Sequence, residues 1–407
     1  MNSMTTSLLS LIIGLSLSSC NAQQGNQAQS PPTQSTPVGG NFENSSYTYY
    51  GIPAALTSVD TSAGYNEGAQ KLLITGKVYQ SDGKTPAPGV IIYYYHTAPS
   101  GRYEHRVTEP RSMPPNEKGQ THGYLRGWVK SDQQGSYKIY TIRPGVYPTR
   151  DEPAHIHITV KEPNHLSEYY LDDIVFDDDK LLNSAARKKL KNRGGSGIVR
   201  LLVTDSIHIA EKDIILGLNI PGYPIKESGS NASGLNIGED QPSFIPYHAY
   251  GPDKGKRTCP VCKYGRYHGL ILFTGNKASW DDIKKWLIFL EKESVKREKY
   301  LKVYFVYGNS YNYSRPDREL QLEQLGKELN IQNTALTYVP SFDDESTEAD
   351  LNKINPEAES TIILYKNRRI VDKYINLKPT PENFERLTKA MENTKGEYFY
   401  LPGMEHD

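Results

Sequence analysis

Two histidines, His155 and His157, stand one residue apart with Ile156 between them and Thr159 and Val160 close behind. The β-branched residues that follow suit a strand, where side chains at i and i+2 share a face. Both imidazoles then point the same way while Ile156 turns into a core. Paired imidazoles can share one metal ion. The same pattern also describes two histidines on the polar face of a half-buried strand. Tyrosine is the over-represented aromatic, 30 residues against 9 phenylalanines. It suits β-rich structure and wet grooves, and it supplies phenolates where a metal needs them.

The elements that must hold these residues are short strands. From about residue 72 to 222 the sequence predicts Leu72–Tyr79, Gly89–Tyr95, Ser136–Ile142, Ile156–Val160, Ile198–Val203 and Ile214–Leu218, with turns such as Ser81-Asp82-Gly83-Lys84 between them. Such a series argues for a β-sandwich. One helical insert is expected at Leu181–Asn192, rich in Ala, Lys and Leu. After residue 256 the pattern alternates. Strands are expected at Leu270–Thr274, Val303–Val306 and Thr334–Val339, a hairpin at Thr361–Tyr365 and Ile370–Ile375, and helices at Trp280–Lys299, Arg318–Leu329 and Pro381–Met391. That order implies an α/β domain with a largely parallel sheet.

Length and composition fit two globular domains: 407 residues, 37% hydrophobic, 23% charged. A formal net charge of zero gives no sign of a nucleic-acid partner. The opening stretch carries an apolar run of signal-peptide length, and Leu17-Ser18-Ser19-Cys20 resembles the lipobox of bacterial lipoproteins, although no Lys or Arg precedes the run. The resemblance implies lipidation at Cys20 and a place at the cell envelope, on the periplasmic side or the outer membrane. The expected organisation is a signal peptide over 1–20, a disordered tether over 21–70, the β-sandwich over 71–222, a linker over 223–256, the α/β domain over 257–395 and a tail over 396–407.

Across 72–222, GKVY, DGKTPAPGVIIYYYHT, GRY, LRG, TIRPGVYP and PAHIHI follow one another in an order that resembles the intradiol ring-cleavage dioxygenases. The resemblance implies a non-haem Fe(III) cofactor and a catecholic substrate opened with O2. By position it makes Tyr103, Tyr147, His155 and His157 the iron ligands, with Tyr147 the one that substrate displaces. Phenolate is a hard anionic donor that favours Fe(III). Well-known members carry an arginine just before PAHIH, where it stabilises an anionic ring; here that place is Glu152. Arg150 and Arg126 are the candidate substitutes. His105 and His122 are partners of the ligands, substrate contacts or solvated loop residues.

The C-terminal strand–helix order is similar to the thioredoxin superfamily at the level of fold. Its Cys259-Pro260-Val261-Cys262 lies before the first strand, not after it. The pair reads as a structural disulfide, a redox dithiol, or a metal site with His248 or His268. The domain is also a candidate docking module for a protein partner. Against the enzyme stand two alternatives: an inactive intradiol-like binding or scaffold lipoprotein, and a thiol redox protein acting through its C-terminal domain.

Overall fold

A computed structural model describes residues 36–40, 45–224, 232–311 and 313–396. Strand His155–Lys161 buries Ile156, Ile158 and Val160 almost completely, while His155 and His157 stay half-buried on the other face. The period of two is therefore realised as the sequence predicts. Each fully buried aliphatic side chain contributes roughly 1.5–3 kcal/mol. The strand is anchored by these side chains and presents its histidines on the opposite face.

Two mixed sheets share the core. One runs Val59–Thr61, Ser136–Ile142, Lys71–Tyr79, His208–Glu211, Leu202–Val203, with Ile214–Ile215 added to Lys71–Tyr79. The other runs Arg126–Lys130, Ile91–His96, His155–Lys161, Ile174–Phe176, Ile198–Val199, with Tyr169–Tyr170 added to the histidine strand. Leu72, Ile74 and Ile139 of the first sheet pack in one cluster with Ile92, Ile156, Ile158 and Ile174 of the second. The apolar run Ile198–Val203 divides into two strands, one in each sheet. The predicted helical insert shortens to Ser184–Lys189, started by Asn183, whose side chain accepts from the Ala186 amide.

Part of the stretch read as a disordered tether is built into this unit. Val59–Thr61 pairs in parallel with Ser136–Ile142. The Tyr47, Thr48 and Tyr50 carbonyls accept from the buried side chains of Arg126 and Trp128. Polar composition concealed this, because the segment is held largely by backbone hydrogen bonds and by a few scattered apolar side chains such as Val38, Ile52 and Leu56. Cys20 and the predicted signal peptide lie outside the described residues, and no described helix is long and apolar enough to cross a membrane.

A third six-stranded sheet runs Tyr247–Tyr250, Ala335–Tyr338, Leu301–Tyr307, His268–Thr274, Thr361–Lys366, Arg369–Ile375. Its inner strands Ala335–Tyr338, Leu301–Tyr307 and His268–Thr274 are parallel; Thr361–Lys366 pairs antiparallel with His268–Thr274, and Arg369–Ile375 pairs antiparallel with Thr361–Lys366. Helices Trp280–Arg297, Arg315–Glu328 and Pro381–Asn393 accompany it. The stretch read as linker contributes the edge strand Tyr247–Tyr250. It also joins the two parts, since the Gly238 carbonyl accepts from the Ser196 amide while the Gly238 amide donates to the Ile370 carbonyl.

Candidate metal centre

Three loops and one strand deliver the four predicted ligands. Tyr103 follows the turn Ala98–Arg102, in which the Gly101 amide donates to the Ala98 carbonyl. Tyr147 follows Pro144-Gly145, whose Gly145 amide donates to that same carbonyl at 3.2 Å. The two loops touch through their glycines. Gly101 holds φ at +74°, and a Cβ there would lie 1.9 Å from the Val146 carbonyl oxygen; one on Gly145 would lie 2.3 Å from the Pro99 oxygen. The glycines of GRY and PGVY are thus present because no side chain fits between the loops. The third loop, Asp151–Ala154, is tied to Asp179, whose carboxylate accepts from the Ala154 amide.

The four side chains meet. The Tyr103 hydroxyl is 2.6 Å from the Tyr147 hydroxyl and 2.9 Å from His157 Nε2; Tyr147 is 3.2 Å from His155 Nε2 and 3.5 Å from His157 Nε2. The other ring nitrogens face away. His155 Nδ1 donates to the Pro153 carbonyl, and His157 Nδ1 to the Asp173 carboxylate. With both Nδ1 atoms protonated, the neutral rings offer only lone pairs at Nε2. Three contacts shorter than 3.3 Å then share two hydroxyl protons. The knot is one proton short, and a single cation among the four donors would satisfy all of them.

Electrostatics agree with that donor set. Burial raises the Tyr103 phenol well above its ordinary range, and the neighbouring Tyr147 oxygen raises it further. Burial also raises Tyr147, and among the charged groups Asp173 and Glu152 add to this while Arg150 opposes it. Burial holds His155 below the usual imidazole value, helped by His157. The His155 imidazole is favoured in its neutral form, and the phenols need a nearby positive charge to ionise. Hard phenolate oxygens with two imidazoles suit a ferric ion. The residues present therefore fit the iron that the resemblance implies.

The candidate arginines divide. Arg150 is exposed, sits over the Tyr147 ring at 5.5 Å, and lies 3.9 Å from Glu152. It is near the centre and partly neutralises the carboxylate beside it. Arg126 is not available for catalysis. It is fully buried, with its guanidinium donating to the Tyr93 hydroxyl and to the carbonyls of Tyr47, Tyr50 and Arg111. It clamps the N-terminal segment. His105 lies in an exposed loop against Ser112. His122 is buried rather than solvated, bonded to the Tyr93 hydroxyl and stacked 3.6 Å from Tyr95, whose ring in turn stacks on His157 at 4.4 Å. Burial lowers its pKa to about 3, so it stays neutral.

Sequence reasoning missed Asp173 and Tyr95. Asp173 immediately precedes Ile174–Phe176, which pairs with the histidine strand through His155–Val175 and Ile156–Ile174. A carboxylate ahead of a short apolar run was the available signal. Elsewhere, Cys259 and Cys262 are disulfide-bonded at the start of helix Pro260–Tyr264. His248 points both ring nitrogens at the Pro252 and Thr258 carbonyls, and His268 Nε2 meets Thr394. Neither histidine turns these nitrogens toward the cysteine pair. A cavity of about 590 Å³ lies between the sandwich and the α/β part, lined by Lys77, Tyr79, Glu211, Asp213, Lys366 and Arg369 among others; none of the four centre residues reaches it.

Comparison with known proteins bears on the sandwich. Residues 46–194 match the family model described as Dioxygenase. The protocatechuate 3,4-dioxygenase beta chain of Burkholderia cepacia is 29% identical over 98 residues, 24% of this chain and 37% of that protein. The chain thus spans little more than a third of the curated relative it matches. Among solved structures, hydroxyquinol 1,2-dioxygenase from Pseudomonas putida DLL-E4 is 22% identical over 47% of this chain and 68% of that one, TM-score 0.31. Catechol 1,2-dioxygenase from Acinetobacter sp. ADP1 is 18% identical over 44% and 64%, TM-score 0.31. Residues 46–194 are thus similar to the intradiol dioxygenases, a family of oxidoreductases that use non-haem Fe(III).

Proposed function

We propose that this chain is a non-haem Fe(III)-dependent intradiol dioxygenase that opens the ring of a catechol-type aromatic with O2 while tethered to the cell envelope through Cys20. The observation that carries the reading is the convergence of Tyr103, Tyr147, His155 and His157, with three short contacts and two protons to serve them. Ferric iron, when bound, supplies the Lewis acidity that ionises a catechol and makes its ring reactive toward O2.

The chain's own residues divide the remaining work. His155 and His157 present lone pairs from one strand face. Tyr103 lies nearer His157 than Tyr147 does, and it keeps a fixed place in the knot. Tyr147 sits on a loop with an exposed neighbour, Val146, and under the Arg150 guanidinium. It is suited to swing out and take a proton from the entering catechol hydroxyl. Arg150 offers its charge to an anionic ring in place of the arginine that Glu152 replaces. The C-terminal part is read as thioredoxin-like, supported by its parallel strands, antiparallel hairpin and flanking helices; it serves as a docking module for a protein partner.

The test uses the chain from residue 21 onward, because segments before residue 60 are built into the sandwich. Iron content and the visible spectrum are recorded, catechol is added under air, and O2 uptake is followed. Stoichiometric iron, a phenolate-to-iron band that shifts with catechol, and O2 consumption support the enzyme. A protein that stays colourless after iron reconstitution sinks it, leaving the binding or scaffold reading.

A further inference from the structure

We propose that Asp173 is a positioning residue of the metal centre, fixing the His157 ring so that Nε2 rather than Nδ1 faces Tyr103 and Tyr147. The inference rests on reading the four side chains as an iron site. Stacking of Tyr95 on His157 at 4.4 Å sets the plane of the imidazole but not its rotation within that plane. Two rotations related by a ring flip fill nearly the same volume and put different nitrogens at the phenols. Only a directional partner at the edge of the ring distinguishes them. Asp173 Oδ1, 2.9 Å from Nδ1, is that partner.

The register secures it. Asp173 sits one position before Ile174, which pairs with Ile156, so the carboxylate arrives beside the His157 edge as a consequence of strand pairing. His155 receives the same service from a different group, the Pro153 carbonyl at 2.8 Å from its Nδ1. Both imidazoles are thereby held with Nδ1 as donor and Nε2 free. Donor atoms of His155, His157 and Asp173 also lie within 4.8 Å of one another, close enough to suggest direct ligation by the carboxylate. That arrangement would use His157 Nδ1 and leave Nε2, 2.9 Å from the Tyr103 hydroxyl, outside the site. The phenols converge on Nε2, so Asp173 belongs behind the ring. A carboxylate there also makes the imidazole a stronger donor, a role for which outer partners are worth about 10–100-fold in metal affinity.

Asp173→Asn keeps an acceptor and loses the charge; Asp173→Leu loses both. Apoprotein of the full chain, labelled with ¹⁵N-histidine, reports the His157 tautomer, assigned by difference against His157→Gln. Wild type and Asp173→Asn are expected to show the Nδ1–H form and Asp173→Leu a mixture rich in Nε2–H. Chelator competition is expected to give about 10–100-fold weaker iron binding for Asp173→Leu. For Asp173→Asn the phenolate-to-iron band moves to longer wavelength, because a weaker imidazole donor leaves the iron more acidic. An Asp173→Leu protein with unchanged tautomer and iron affinity overturns the proposal; if that variant does not fold, an Asp173→Ala protein with unchanged tautomer and iron affinity does so. Wild type that binds no iron removes the metal reading instead, and the apoprotein tautomer still decides whether Asp173 orients His157.

Discussion

The hydroxyl oxygens of Tyr103 and Tyr147 lie 2.6 Å apart, although 44 residues separate them in the chain. Burial makes both phenols costly to ionise; Tyr147 raises the cost for Tyr103 further, while the hydrogen bond from Tyr103 eases it for Tyr147. Removing either hydroxyl relieves that crowding and removes a donor. The two are not equivalent, because Tyr103 is the nearer to His157 and Tyr147 lies under Arg150. Tyr147→Phe is expected to retain iron and a weakened charge-transfer band while kcat falls about 10²–10⁴-fold, the usual worth of a proton acceptor. Tyr103→Phe is expected to lose iron more readily, and the double variant to be colourless. Absorbance and iron analysis check this; an unchanged band in the double variant would exclude both phenols as ligands.

Gly101 makes that proximity possible. A Cβ at this residue would stand 1.9 Å from the Val146 oxygen on a backbone with positive φ, so alanine must push the Tyr103 and Tyr147 loops apart. Gly101→Ala is expected to fold with the wild-type far-UV spectrum, at a cost of about 1–3 kcal/mol from backbone strain. Its iron affinity should drop by at least tenfold. Retained colour with retained affinity would show that the loops absorb a methyl group without moving the tyrosines.

Acid should destabilise the chain through histidines outside the centre. His96 is fully buried between the Thr97 carbonyl and the Thr141 hydroxyl, and burial lowers its pKa to about 4. Burial likewise lowers His268 to about 3. The unfolded chain takes up these protons near pH 6.5 and the folded one does not, so stability present above that pH is lost as pH falls. At pH 5 each contributes about 2 kcal/mol of loss. Urea midpoints at pH 7.5 and 5.0 measure it. His96→Asn and His268→Asn should each flatten the difference; parallel pH profiles for wild type and both variants would refute the assignment.

What the sequence disclosed follows from the range of the interactions. His155 and His157 are legible because strand alternation is local: Ile156 is driven inward and the flanking side chains follow. Tyr103 and Tyr147 are singled out only by their order along the chain, since nothing local marks two tyrosines among 30. Asp173 was not found, because its partner is fixed by an antiparallel pairing that leaves no periodic trace in a three-residue strand. Arg126 misled for a related reason. Its acceptors are backbone carbonyls of a polar segment, and no side-chain pattern announces carbonyls. The strand Tyr247–Tyr250 was read as linker because it is a short edge closed by a glycine- and lysine-rich turn.

Glu211 tests whether the sandwich and the α/β part unfold together. Its carboxylate, from the sandwich strand His208–Glu211, meets Lys366 Nζ at 2.7 Å and Arg369 at 3.2 Å, both on the C-terminal hairpin. Arg369 has a second partner, Asp213 at 2.9 Å, but Lys366 has no other carboxylate within ion-pair distance among the described residues. Lys366 is 2% exposed and Arg369 8%, so only water in the adjoining cavity is near enough to replace the lost partner. Deleting one member of such a group leaves an uncompensated buried charge, a loss of about 3–5 kcal/mol, whereas replacing the whole group by apolar residues is often neutral. Glu211→Ala is therefore expected to lower the urea midpoint sharply. Glu211→Leu combined with Lys366→Met should recover most of the loss, a non-additivity that single surface pairs do not show. Trp128 reports on the sandwich and Trp286 on the α/β core. If the fluorescence of single-tryptophan variants retaining each gives one shared midpoint in wild type and two in Glu211→Ala, the junction couples the two parts. Identical midpoints in every variant, with no change in stability, would mean that the buried charges find water despite their enclosure.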